Sequence, residues 1–64
     1  MNWLELARKV VKESQAYECD GMLLDLTTAS MLVQVHDALN EKNQQMFAGF
    51  SLERAVRIGW KLVS

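Results

Sequence analysis

The sequence predicts an all-α fold, a small bundle of four helices with short connections, in a single domain of residues 1–64. Three observations carry that prediction. Apolar residues recur at helical spacing through four segments, about residues 2–16, 27–39, 41–48 and 52–63. Each segment opens on a side chain able to accept from the unpaired amides of a first turn: Asn2, then one of Asp25, Thr27 and Thr28, then Asn40, then Ser51. Half of the residues are hydrophobic and proline is absent, which suits a helical globular chain and not a disordered one.

In the first segment Asn2 is placed to cap, with Glu5 in the capping-box position. Trp3, Leu6, Ala7, Val10, Val11 and Tyr17 fall on one face, and the helix is expected to fray near Tyr17. Asp20-Gly21 reads as a tight reversal, because Gly21 can take positive φ and Asp20 can bond its own backbone. Residues 22–24, Met-Leu-Leu, fit either a short extended segment or an extra helical turn. A buried connection without a sheet is expected there, since no second strand candidate stands out. The second helix presents Ala29, Met31, Leu32, Val33, Val35 and Leu39 to the interior. The third buries Met46, Phe47 and Ala48 and ends at Gly49.

The last segment, Ser51–Ser64, is the one around which the rest is expected to pack. Leu52, Ala55, Val56, Gly59, Trp60 and Val63 share a face that Ile58 and Leu62 widen. That arc covers roughly 200°, against the ~100° stripe of an ordinary surface helix. Trp60 is accordingly expected in the core, where truncation to alanine would cost about 3–5 kcal/mol.

Length restricts the means of stabilisation. A domain of this size buries only about 60% of its unfolded surface. With one cysteine and one histidine, the chain can form neither an internal disulfide nor an ordinary four-ligand zinc site. Asp20 and Asp25 lack the oxygen-rich spacing of a calcium loop, so no metal or cofactor is expected. A formal net charge of −1 gives no overall attraction to nucleic acid or to an acidic membrane surface. No uninterrupted apolar run exceeds three residues, and the amino terminus lacks the basic and apolar regions of a signal peptide. A cytoplasmic protein without membrane association is expected.

Catalytic readings find little to build on. His36 lies between Leu32 and Ala29 on the helical wheel, towards the apolar face, with Asp37 expected to point elsewhere; it reads as a structural histidine. Cys19 stands between Glu18 and Asp20, which disfavour its thiolate. The chain is therefore expected not to be an enzyme. Arg54, Arg57 and Lys61 form a basic stripe on the last helix, and Arg8, Lys9 and Lys12 a second. Such a stripe serves either as a solvated face or as a contact surface, for duplex DNA in a helix-turn-helix arrangement or for an acidic protein. The acidic overall charge and the absence of a glycine-containing helix-turn-helix junction favour the solvated face, and an acidic protein over DNA where part of it makes contact. The candidate interaction surface is Arg54, Arg57 and Lys61 with the flanking Ile58 and Leu62. The surplus apolar arc suggests a homodimer seam or a groove for a partner protein.

Part of the chain also resembles a known group. Asp25-Leu26-Thr27-Thr28-Ala29-Ser30, Val33, Asp37-Ala38-Leu39, Asn43, Phe47 and Trp60-Lys61-Leu62-Val63 resemble a pattern in short uncharacterised proteins encoded by bacteriophages, prophages and other bacterial mobile elements. The likeness runs over residues 25–63 and leaves the first helix uncovered. It implies a bacterial cytoplasm and an accessory role; in such a setting a small protein that acts by contact, as the surplus apolar arc suggests, is expected to modulate a host or defence factor (an anti-CRISPR, for example). It carries over no catalytic residue.

Overall fold

A computed structural model describes residues 2–63. Helix α1 spans Trp3–Glu13, with the Asn2 side chain accepting from the Glu5 amide at 2.9 Å. It ends earlier than the sequence suggests. Ser14 adopts a left-handed conformation (φ 54, ψ 39), and the amides of Ser14 and Gln15 both turn back onto the Val10 carbonyl. Trp3, Ala7 and Val10 are buried, at i, i+4 and i+7. Val11, placed on the inner face by the sequence, is 39% exposed.

Tyr17–Cys19 (β1) and Met22–Leu24 (β2) form an antiparallel hairpin, so the fold is mostly helical but not all-α. The pairs are Tyr17 with Leu24, Glu18 with Leu23 and Cys19 with Met22. Asp20 (φ 52) and Gly21 (φ 78) supply the two positive φ angles that a two-residue turn of primed type requires. Burial alternates along both strands: Tyr17, Cys19, Met22 and Leu24 face the core, while Glu18 and Leu23 face out. Three-residue strands are too short to show a period, which is why the partner of Met22–Leu24 escapes a reading by pattern. Leu24, 1% exposed, anchors the hairpin.

Helix α2 spans Leu26–Ala38, and Asp25 prevails among the three competing caps, accepting from the Thr28 amide at 2.8 Å. Helix α3 covers Glu41–Ala48 with Asn40 accepting from the Asn43 amide at 2.9 Å. Gly49 closes it in a right-handed conformation (φ −81). Phe47 alone is buried there; Met46, expected inside, is 56% exposed. Helix α4 spans Leu52–Val63, capped by the Ser51 hydroxyl on the Arg54 amide at 3.2 Å.

The hub of the packing is α2, which meets α1, α3 and α4; α4 meets mainly α2. Only Leu52, Ala55 and Gly59 of α4 are buried, and Trp60 is 41% exposed. The expectation that the chain is organised around α4 is therefore corrected. The aromatic weight of the core comes from elsewhere. Trp3 meets Phe47 edge to face at 5.3 Å, Phe47 meets Phe50 likewise at 6.1 Å, and the Trp3 indole donates to the Phe50 carbonyl at 2.8 Å. This cluster ties the start of α1 to the α3–α4 junction. Among the described residues no helix is long and apolar enough to cross a membrane.

Candidate interaction face

Four large apolar side chains, Leu26, Trp60, Leu62 and Val63, are 41–58% exposed and belong to the same region of the surface. Two open hollows flank the junction of α2 with the end of α4. The larger, about 460 Å³, is lined by Leu26, Thr27, Ser30, Met31, Gln34, Trp60 and Val63. The smaller, about 310 Å³, is lined by Gln34, Val35, Ala38, Leu39, Leu62 and Val63. Gln34 and Val63 line both, so the hollows meet there. The chain carries seven basic and eight acidic side chains, yet none of them lines either hollow.

The local sequence explains this geometry. On α2, Leu26, Ser30, Gln34 and Ala38 repeat every four residues along one flank of the face that buries Ala29, Leu32 and Val35. On α4, Gly59 lets the helix approach α2 closely: a Cβ at that position would collide with the Met31 thioether. Met31, only 5% exposed, thus lies beneath α4 and forms part of the floor of the larger hollow. The wide apolar arc of α4 is real, but its last turn faces these hollows instead of a covering element.

Of the interaction surface expected from sequence, Leu62 alone belongs to this face. Ile58 is half-buried and packs against the core. Arg54, Arg57 and Lys61 are exposed away from the hollows, and the Arg54 guanidinium lies over the Phe50 ring at 4.5 Å. The sequence does not single out Leu26 and Ala38 as surface residues, because nothing local says which flank of α2 remains uncovered.

Two polar features lie outside the face. Asp37 does not point away from His36: its Oδ1 is 2.9 Å from His36 Nδ1 and 2.8 Å from Arg8 Nη2, so one carboxylate joins α1 to α2. The Arg8 hydrogen bond, seconded by that of His36, lowers the Asp37 pKa to about 2. Arg8, expected as part of a free basic stripe, is engaged in this clamp. The Cys19 thiol is half-buried, with Sγ 3.8 Å from Asp20 Oδ2. Burial first, and the Asp20 charge second, raise its pKa above the usual thiol value, which keeps it protonated at neutral pH. Comparison with protein-family models, with curated proteins and with solved structures finds no match to this chain.

Proposed function

We propose that the protein is a small non-catalytic accessory protein that acts by protein–protein contact, with the uncharged face between α2 and the end of α4 as its contact surface. The observation that carries this reading is the gathering of four exposed large apolar side chains around two adjoining hollows that no charged side chain of the described residues lines. Contiguous apolar surface of this kind marks interaction sites, and depletion of charge is the compositional signal of an interface centre. The face is occupied either by a second copy, making a homodimer, or by a partner protein. In the bacterial cytoplasm that the resemblance to phage and prophage proteins implies, that partner is a host or defence factor, as for an anti-CRISPR protein. The basic stripe gives a duplex-DNA regulator less support, since Arg54 is already held on the Phe50 ring and the net charge is −1.

The test is a photo-reactive side chain placed at Gln34, where the hollows meet, and at Lys12 on α1 as a control. Irradiation in cells is expected to trap a protein, either a second copy or a partner, from position 34 and not from position 12. No adduct at position 34 would remove the contact reading.

A further inference from the structure

We infer that Met31 is an oxidation-sensitive latch between α2 and α4: addition of one oxygen atom from a peroxide to its thioether releases the end of α4 from α2. The seat of this side chain is specific. Its Sδ and Cε fill the space left by the missing side chain of Gly59, where a Cβ would collide with the sulfur and stand 3.0 Å from the methyl. Leu32 closes the same spot, its Cδ2 3.7 Å away. Gly59 is the last buried residue of α4, after Leu52 and Ala55; beyond it Trp60, Leu62 and Val63 are exposed. The hold of α2 on that end therefore runs through Met31.

The opposite side of Met31 is open. Though only 5% exposed, it lines the larger hollow with Ser30 and Gln34, and a small oxidant meets it from there. The sulfur lone pair attacks one oxygen of hydrogen peroxide, an S–O bond forms as the O–O bond breaks, and water leaves. The thioether is oxidised to sulfoxide and the peroxide reduced.

The product cannot keep the same seat. An oxygen on the α4 side has neither room beside Gly59 nor a hydrogen-bond donor, and an unpaired polar group there is disfavoured. On the hollow side it meets water and uncharged polar side chains. The sulfoxide is drawn towards the hollow, the seat under Gly59 empties, and the last turns of α4 are freed. Trp60 and Val63 line the contact face and move with that end, so oxidation dismantles the face. That regulatory consequence rests on the contact reading, whereas the latch belongs to the single chain.

Hydrogen peroxide treatment of the whole chain, with peptide mass mapping and amide hydrogen exchange, tests the latch. Met46, 56% exposed on α3, is expected to be oxidised first and to leave exchange in α4 unchanged. Oxidation of Met31 is expected to speed exchange over residues 59–63 at least about tenfold while α1 keeps its protection. Methionine sulfoxide reductases are expected to restore the slow exchange. Met31→Leu, which conserves volume, is expected to keep the helical circular dichroism and to lose the response to peroxide. Met31→Gln is expected to reproduce the fast exchange without peroxide. An oxidised Met31 with unchanged exchange in α4, or a response that survives Met31→Leu, would overturn the latch. So would loss of protection throughout the chain, which would make Met31 an ordinary core residue. Failure of trapping at position 34 would remove the contact reading and leave these exchange results untouched.

Discussion

Trp3 is 5% exposed, donates its indole N–H to the Phe50 carbonyl and sits edge-on to Phe47, whereas Trp60 is 41% exposed beside an open hollow. The two residues therefore differ in what their removal costs. Trp3→Ala leaves a cavity in the aromatic cluster and an unpartnered carbonyl, for a loss of about 3–5 kcal/mol. Trp60→Ala gives up partial burial only, about 1–2 kcal/mol. Denaturant unfolding of both variants checks the order; equal losses would contradict the placement of Trp60. Asp37 makes a second prediction at this scale. Its folded pKa of about 2 lies below the ordinary value of 3.8, so its pairing contributes stability above pH 4 that disappears as pH falls through about 2. Both partners are about half-exposed, which limits the contribution to about 1 kcal/mol or less. Asp37→Asn is expected to lower the melting temperature slightly at pH 7 and to match the parent near pH 2.

At the scale of elements, the caps follow directly from local chemistry. Asn2, Asp25, Asn40 and Ser51 each accept from an amide three residues on, because that geometry needs only a short oxygen-bearing side chain at the entry to a helix. The hairpin depends on backbone conformation. Gly21 holds φ 78 with open space where a Cβ would be, so Gly21→Ala brings no clash, only the left-handed penalty of about 1 kcal/mol. Gly21→Asn should lose less, since asparagine tolerates that region. Chemical denaturation of the pair separates a conformational requirement from a packing one. Equal stability of parent and alanine variant would show the turn to be of another type.

Over the whole molecule, exposed area is ordinary for the mass. The 4259 Å² of accessible surface is close to the ~4,200 Å² that the general scaling gives for a monomer of this mass. What sets the chain apart is the quality of one part of that surface, where uncovered Leu26, Trp60, Leu62 and Val63 adjoin. The packing also implies a gradient of protection. Amide hydrogen exchange is expected to be slowest in the central turns of α2, which has helices on several sides, and faster in the last turn of α4. The reverse order would restore α4 as the centre.

The sequence by itself determined the four helices, the caps of three of them and the Asp20-Gly21 reversal, since each rests on residues within a few positions of one another; the choice of Asp25 as the cap of α2 and the burial that adds to the Asp20 charge on Cys19 needed the fold. The number of helices meeting at α2, the pairing of β1 with β2 and the Arg8–Asp37–His36 clamp were decided only by the tertiary structure. So was the identity of the exposed face. Periodicity reports how wide an apolar arc is, as it did correctly for α4, but burial depends on which neighbours arrive and where they stop. Leu62 and Ala55 look alike on a helical wheel. One lines an open hollow and the other is fully enclosed, because α4 meets α2 closely at Gly59 while the flanks of its last turn stay uncovered.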